Sequence, residues 1–483
     1  MSATGKAVAM HGLRRRALSL GVVKSFDYAM QFLLPMLLVR CLDEAAFGEY
    51  RLLGLVLGTI ALAPLNMPGG LYVFVPRSDA PTKRLYVHQT LLFLGVMGLL
   101  CALLVSPWSP LAPETLAPLA KFGVLVPAMV ALWVTTQMLD VLPTVDERIP
   151  WQAAASLTIG TLRFGLVGTA AWRTHDMVLI VALLFAISAL KMLLLITYIH
   201  RYHGFGGRWF DRARFSDQAR QVLPLGVASA LFGLRAQADQ WIAAALFALT
   251  SFSAFSIASL VRSVVDIFRQ SVVEAFFPSM SRMQAAGDLR GMLAMNARGN
   301  LIVGTLILPL LAFAFCFAEQ IITVLFTSAY LEGAPVMRVY LLGLVLSVVE
   351  VGSIVLMLRQ GAFAIAVNCL MLLLSVLASA AFASHVGLAG AAAGSVLAIW
   401  VDRALTLRRI SRHTGVPVAD LQDWRGLALA LGYGVVVSAC AWTLVRTEFA
   451  ATHALVQLVI GGSVLAAGYL LLFGIKPLRR GLQ

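Results

Sequence analysis

Charged side chains interrupt several apolar stretches of this chain that are otherwise long enough to cross a membrane. The segment 223–278 holds two such stretches and carries five of these charges: Arg235, Asp239, Arg262, Asp266 and Arg269. A charge at the centre of a membrane helix costs about 2.5–3.5 kcal/mol on insertion scales, so several together must face one another or water. Arginine forks bind phosphate in bidentate fashion, whereas carboxylates can relay coupling ions. The pattern therefore predicts a polar interior for ions or an anionic substrate.

Helical spacing arranges these charges in stripes. Residues three, four or seven apart lie on one face of a helix. Three stripes follow this spacing: Arg235 with Asp239; Arg262 with Asp266 and Arg269; and, near the N-terminus, Lys24 with Asp27 and Gln31. Single charges interrupt three further apolar stretches at Arg163, Lys191 and Glu350.

The charges inside apolar stretches include more bases than acids. The bases are Lys24, Arg163, Lys191, Arg235, Arg262 and Arg269, and the acids are Asp27, Asp239, Asp266 and Glu350. This excess favours an anion such as a phosphate or pyrophosphate group. Lys24, Arg235, Arg262, Arg269 and Arg163 are therefore the candidates for substrate binding. Asp27, Asp239, Asp266 and Glu350 are the candidates for ion coupling. In the alternative interpretation each carboxylate neutralises its helical neighbour, and the ion pairs tie helices together without contacting substrate.

Composition indicates a polytopic membrane protein. The 483 residues are 60% hydrophobic and only 12% charged, and the mean hydropathy is +0.87, which leaves too little polar surface for a soluble globule. The net charge of +14 is spread through short loops, so it does not indicate nucleic-acid binding. The five cysteines are isolated and no catalytic or nucleotide-binding motif is present. We expect no enzyme activity, no catalytic residues, no metal and no cofactor.

Apolar stretches of spanning length predict an all-α fold with about fourteen transmembrane helices. They lie near residues 18–40, 51–75, 87–107, 119–142, 152–172, 177–199, 222–247, 252–277, 299–318, 334–357, 361–383, 387–407, 426–445 and 453–475. Lysines and arginines divide between alternate loops as about twenty-five against six, and basic residues resist translocation. Both termini are therefore predicted to be cytoplasmic.

An internal repeat predicts how these helices are organised. The segment 35–56 aligns with 241–261 as a helix end, a turn and a second helix, and the two copies start six helices apart. Two parallel six-helix lobes around a central cavity follow, with two additional helices at the C-terminus. The predicted divisions are a basic N-terminus (1–17), an N-lobe (18–200), a basic linker (201–221), a C-lobe (222–407), a basic loop (408–425) and the last two helices with a cytoplasmic tail (426–483).

Several loose motifs resemble one family of transporters. They are LVRCLDEAAFGEYRLLGL (38–55), LPLGVASALFGLRAQADQWIAAAL (223–246), FSAFSIASLVRS (252–263) and HVGLAGAAAGSVLA (385–398). They resemble the Wzx-type flippases of the polysaccharide transport family, in the superfamily of multidrug extruders and lipid II flippases. In this resemblance Asp239 stands where the family has an aspartate in its seventh helix, and Lys24 matches a basic residue of the first. Cys41-Leu42-Asp43 departs from the Leu-Gly-Pro that is common in the family's first turn.

The resemblance implies a V-shaped exporter that works by alternating access in a bacterial inner membrane. Its substrate would be an undecaprenyl-pyrophosphate-linked oligosaccharide for surface or exopolysaccharide synthesis, moved from the cytoplasmic to the periplasmic leaflet. Proton or sodium coupling is implied, and a polysaccharide polymerase or glycosyltransferases are possible partners. Two other functions stay open: a multidrug cation antiporter on the same scaffold, and a non-transporting membrane subunit of a polysaccharide synthesis complex.

Overall fold

A computed structural model of the protein describes residues 29–30 and 32–472, with the backbone alone at 264, 266–268, 271–275 and 472. Every regular element in this part of the chain is a helix, so the predicted all-α class is confirmed. The chain divides into two compact units, Met1–Leu234 and Arg235–Gln483, and the boundary falls inside one long helix. The predicted lobe and linker limits stay predictions.

The first unit contains nine α-helices and the start of a tenth among its described residues. They are α1 (Phe32–Cys41), α2 (Glu44–Ile60), α3 (Met67–Phe74), α4 (Ala80–Val105), α5 (Ala117–Ala120), α6 (Leu125–Thr135), α7 (Leu142–Val145), α8 (Ile149–Thr174), α9 (Met177–Tyr202) and α10 (Arg212–Leu246). In its core, α4 and the last turns of α9 pack against the α6–α7 region. The buried residues there include Leu94, Val134, Met138 and Leu195.

The second unit receives the end of α10 and contains the remaining described helices. They are α11 (Leu249–Ala285), α12 (Leu289–Cys316), α13 (Ala318–Leu325), α14 (Gly333–Ser347), α15 (Gly352–Met357), α16 (Gly361–Val386), α17 (Leu388–Thr414), α18 (Trp424–Glu448) and α19 (Ala454–Leu472). Helix α16 packs along α17, α12 packs along α18, and α14 contacts both α11 and α17.

Eight helical segments of the described chain are long and apolar enough to cross a membrane. They are Ala80–Val105, Leu125–Val145, Met177–Tyr202, Leu289–Cys316, Gly361–Val386, Leu388–Thr414, Trp424–Glu448 and Ala454–Leu471. The apolar side chains on the outside of these helices form a larger apolar area than the surface of a soluble protein carries, because exposing apolar area to water is unfavourable. The chain is a multi-pass membrane protein.

Aspartates define where several of these helices begin. Asp43, Asp176, Asp288 and Asp423 each precede a helix and accept a hydrogen bond from a backbone N–H of its first turn, at 2.6–2.8 Å. Side chains in this position satisfy N–H groups that have no partner within the helix. The Asp43 cap lies at the first turn, where this sequence departs from the Leu-Gly-Pro of the family it resembles.

Two predicted spans are interrupted helices rather than continuous ones. The span 51–75 breaks between α2 and α3, where Leu65 and Asn66 adopt positive φ angles of 48° and 60°. The span 334–357 breaks between α14 and α15 at residues 348–351. A break exposes backbone N–H and C=O groups that a membrane cannot satisfy, so nearby protein groups must do so.

Candidate substrate site in the second unit

Arg262 forms a buried ion pair with Asp239 on the preceding helix. Its Nη1 donates to Asp239 Oδ2 at 3.0 Å and its Nη2 donates to the Ala236 carbonyl at 3.0 Å. The Tyr340 hydroxyl, from α14, donates to the same carboxylate oxygen at 3.0 Å. The Asp239 side chain is fully buried, so this pairing satisfies a charge that water cannot reach.

Arg235 is held by two helices that lie far along the chain. Its Nη2 donates to Asp402 Oδ2 of α17 at 3.1 Å, and its Nη1 donates to Asn368 Oδ1 of α16 at 3.2 Å. Only 11% of the Arg235 side chain is exposed. The predicted helical neighbours Arg235 and Asp239 therefore each pair with a group on another helix and not with each other.

Arg403 adds a partly buried base near the end of the predicted span 387–407. It lies inside α17, next to Asp402, with Nη1 4.0 Å from Asp402 Oδ2. Its Nε is buried and makes no hydrogen bond to the described residues. Arg403 also lies within electrostatic range of Arg235, Arg269 and Glu350. The signal that could have identified it is the Asp-Arg dipeptide that interrupts the apolar run of α17.

Glu350 lies in the break between α14 and α15, where two asparagines of α12 satisfy its backbone. The Glu350 N–H donates to Asn300 Oδ1 at 3.1 Å, and its carbonyl accepts from Asn296 and Asn300 Nδ2, each at 3.0 Å. Its carboxylate accepts hydrogen bonds from the Ser353 N–H and hydroxyl. Asn300 also donates to Gln422 Oε1 at 2.9 Å. Glu350 is thus a buried acid in an interrupted helix.

A small cavity lies beside this break. Arg269 of α11 lines it together with three polar residues of the break region, Asn296, Asn300 and Ser353. The rest of the lining is Phe276, Met280, Met295, Gly299 and Val303. Asn300 and Ser353 are already bonded to Glu350 and Gln422, so Arg269 is the lining side chain whose chemistry suits a compact anion.

The predicted bases of the first unit occupy different settings. Arg163 lies mid-way along α8, partly buried, and its Nε makes no hydrogen bond to the described part of the chain. Lys191 of α9 donates to Asp140 Oδ2 at 2.8 Å, an acid that the sequence reasoning missed. Lys121 and the buried Glu49 form a further ion pair at 2.6 Å.

Three predicted site residues lie outside what the structure describes. Lys24 and Asp27 precede residue 29, and the Asp266 side chain belongs to the part of α11 described by its backbone alone. Among the described residues no group of three or more histidines, cysteines, aspartates or glutamates could hold a metal ion. The second unit contains Arg235, Arg262, Arg269, Asp239 and Glu350 from the predicted set, and of these Arg262 and Asp239 contact each other directly.

The model of one protein family matches most of the chain. That family is described as lipid II flippase MurJ, and the match covers residues 86–463. The chain belongs to the MurJ lipid II flippase family. Membership of the Wzx-type family in particular is not shown. Wzx-type and MurJ flippases are related flippases of lipid-linked substrates in one superfamily. No curated protein sequence matches the chain.

Solved structures share the fold of this MurJ-family chain at low sequence identity. A lipid II flippase MurJ in an inward closed conformation is 12% identical, with a TM-score of 0.67 over 94% of this chain and 98% of its own. An inward-facing multidrug-resistance MATE transporter of the MOP superfamily is 16% identical, with a TM-score of 0.65 over 80% and 95%. A MOP-superfamily transporter from Pyrococcus furiosus is 14% identical, with a TM-score of 0.53 over 83% and 95%.

Proposed function

We propose that this protein moves a pyrophosphate-linked lipid carrying an oligosaccharide across the membrane, and that Arg269 binds the pyrophosphate. The observation that carries the proposal is the position of Arg269 in the lining of the small cavity beside the α14–α15 break. Arg262 and Arg235 have carboxylate partners at 3.0 and 3.1 Å. Arg269 lines the cavity together with Asn296, Asn300 and Ser353.

The local charge supports an anionic ligand. Arg403 lies within electrostatic range of Arg269 and shares the single carboxylate Asp402 with Arg235. Arginine presents a rigid fork that matches phosphate oxygens, and the low dielectric of a buried site strengthens this attraction. We therefore add Arg403 to the predicted substrate-binding residues.

The size of the cavity limits what it can hold. The accessible volume of the cavity is about 10 Å³, which is room for roughly one water molecule, so in this proposal it receives phosphate oxygens and not the oligosaccharide. The methionines and Phe276 supply apolar contacts for the lipid side. In this proposal the glycan lies outside the cavity, and the undecaprenyl chain extends towards the bilayer.

The finer identity of the substrate follows from the resemblance to Wzx-type flippases. We propose an oligosaccharide unit for surface or exopolysaccharide synthesis, carried from the cytoplasmic to the periplasmic leaflet of an inner membrane by alternating access. Both termini would be cytoplasmic, and a polymerase or glycosyltransferases would act as partners. The matching family is described by a different lipid-linked substrate, lipid II, so the two substrates are the alternatives to separate.

Complementation in two host strains separates them. One strain lacks its polysaccharide flippase and the other is depleted of its lipid II flippase. We expect the protein to restore surface polysaccharide in the first strain, whereas rescue of growth in the second strain alone would identify lipid II as the substrate. Failure in both strains, at normal membrane abundance, would contradict flippase activity towards either lipid.

The Arg269 assignment has a matched control in the same unit. Arg338 forms an ion pair with Glu319 at 2.9 Å in an exposed position, so Arg338→Gln removes one positive charge without touching the cavity. We expect Arg269→Gln to lower transport of the lipid-linked substrate in proteoliposomes at least tenfold, and Arg338→Gln to leave it unchanged. Equal transport by both variants would exclude Arg269 from pyrophosphate binding.

A multidrug cation antiporter is the second candidate, because a MATE transporter shares the fold. A cation would have to compete with arginine for the acids of the second unit, since Asp239 and Asp402 are both paired. Resistance of expressing cells to cationic drugs tests this candidate. The third candidate, a non-transporting subunit, predicts that Arg269→Gln leaves polysaccharide output unchanged.

A further inference from the structure

The connector between α9 and α10, residues 203–211, is a fixed surface at one end of the membrane-crossing helices. It follows the last residue of α9 and packs on the beginning of α4. His88 Nε2 donates to the Gly204 carbonyl at 2.9 Å, and Arg84 Nη1 donates to the Gly206 carbonyl at 3.4 Å. Both α4 and α9 are long and apolar enough to span a bilayer, so the connector lies at the level where such a bilayer meets water.

Aromatic stacking orders the connector further. The Trp209 ring lies 4.4 Å from the fully buried His88 ring and 6.0 Å from the Phe205 ring, measured between centroids. The Trp209 Nε1–H donates to the Phe205 carbonyl at 3.2 Å. The Phe210 ring packs against Phe215 in a tilted arrangement, with centroids 5.3 Å apart. Trp209 is nevertheless 37% exposed and Phe210 45% exposed. Each ring is therefore held in place by its neighbours and still has exposed apolar surface.

Five exposed arginines lie in the same stretch of the chain as these two aromatic residues. Between residues 201 and 220 there are five arginines and two aspartates, a net charge of +3, and all five arginines are exposed: Arg201, Arg208, Arg212, Arg214 and Arg220. Asp211 is engaged, because it accepts from the Ala213 and Arg214 N–H groups and pairs with Arg208 at 3.0 Å. Asp217 is exposed one turn further along α10.

We propose that the α9–α10 connector and the first turn of α10 bind the headgroups of anionic phospholipids of the surrounding membrane. Tryptophan and arginine side by side at a membrane surface match the two parts of such a lipid: the ring occupies the interface and the guanidinium binds the phosphate. The charge excess selects anionic over zwitterionic headgroups. This surface belongs to the first unit and is separate from the Arg269 cavity, so the proposal stands apart from the identity of the transported lipid.

Native mass spectrometry of the purified full-length protein tests this proposal with phosphatidylglycerol and phosphatidylcholine as probes. We expect Arg208→Gln with Arg212→Gln to weaken phosphatidylglycerol binding about twenty-fivefold, at roughly fivefold for each arginine near a membrane surface. Phosphatidylcholine binding should not change. Arg208→Lys with Arg212→Lys keeps both charges and should retain most of the affinity, with unchanged thermal unfolding as the folding check.

The control is an arginine next to the beginning of α9, which is the end of that helix opposite to the connector. Arg173 is exposed in the last turn of α8, immediately before α9 begins, and Arg173→Gln removes a charge there. We expect Arg173→Gln to bind phosphatidylglycerol as the parent does. Equal loss in Arg173→Gln, equal binding of both lipids, or undiminished phosphatidylglycerol binding by the Arg208/Arg212 glutamine variant would each overturn the proposal. Loss of heparin binding without loss of lipid binding would indicate a polyanionic macromolecule instead and also overturn it.

Discussion

Arg262 and Asp239 form an ion pair between consecutive helices, with Nη1 and Oδ2 3.0 Å apart and the carboxylate fully buried. Tyr340 supplies a second hydrogen bond to the same oxygen from α14. One carboxylate therefore joins α10, α11 and α14. At Asp239 the charges of this chain secure helix packing, and Arg269 of the same unit lines a cavity.

Removal of Arg262 should destabilise the protein more than removal of an exposed arginine. Arg262→Ala leaves the Asp239 charge buried without its partner, which should lower the free energy of unfolding by about 3–5 kcal/mol. Arg338→Ala, at the exposed pair with Glu319, should lower it by about 1 kcal/mol or less. Denaturant titration in detergent measures both. A double variant with Asp239→Asn should recover part of the loss, and no recovery would mean that the pair is not the cause.

Gly226 should not tolerate even a methyl group. A Cβ at this position of α10 would lie 1.8 Å from the Leu65 carbonyl oxygen, at the break between α2 and α3. Gly226→Ala therefore has to displace backbone, and overpacking of this kind costs about 1–3 kcal/mol or more. Gly54→Ala is the control, because nothing lies within 4 Å of a Cβ there. It should be neutral or slightly stabilising, since alanine favours helix; equal melting temperatures for the two variants would contradict the packing.

Asn300 should be essential to the interrupted helix of the second unit. It bonds the Glu350 N–H and carbonyl and also Gln422 Oε1. In Asn300→Leu the Glu350 N–H stays buried without an acceptor, and each such loss costs about 1–3 kcal/mol. Asn296→Leu removes a single bond to a carbonyl that Asn300 still satisfies, so its effect should be smaller. Hydrogen exchange at residues 348–353 would report the difference, and equal protection in both variants would contradict it.

Asp146 should make the first unit sensitive to strong acid. It lies just after the membrane-crossing segment that ends at Val145, where burial favours its neutral form; hydrogen bonds from His203 and Tyr198 nevertheless hold the pKa of Asp146 below its ordinary value of 3.8. The His203 Nε2 and Tyr198 hydroxyl lie 2.8 and 2.7 Å from Asp146 Oδ2. Because the folded pKa is depressed, this stabilisation is present above pH 3.8 and disappears as the pH falls through the folded pKa.

Thermal unfolding of the parent and Asp146→Asn between pH 7 and pH 3 tests this dependence. The parent should melt at a higher temperature at neutral pH, and the difference should shrink below about pH 4. Asp211→Asn is a second variant with a different setting, because Asp211 is held by backbone N–H groups of α10 and not by His203. A difference between parent and Asp146→Asn that is constant with pH would exclude a role for ionised Asp146.

Local sequence properties predicted that this protein is an all-helical membrane protein, and they identified many of the charged residues that lie within its helices. Long apolar stretches must form helices in a membrane because backbone groups there have no water to bind. A charge within such a stretch is visible by type alone, which is how Arg235, Asp239, Arg262, Arg269 and Glu350 were identified. Arg403 was not predicted to be a site residue, because it lies near the predicted end of its span, where a base ordinarily belongs to a loop.

Only the tertiary structure decided which charges meet. Helical spacing suggested that Arg235 would neutralise Asp239, yet Arg235 pairs with Asp402, 167 residues away, and Asp239 pairs with Arg262. An arginine side chain is long enough to reach a neighbouring helix, so its partner depends on which helices pack together. The break at Glu350 likewise depends on Asn300, 50 residues earlier on α12. Sequence determined that buried polar groups needed partners, and packing of distant helices selected them.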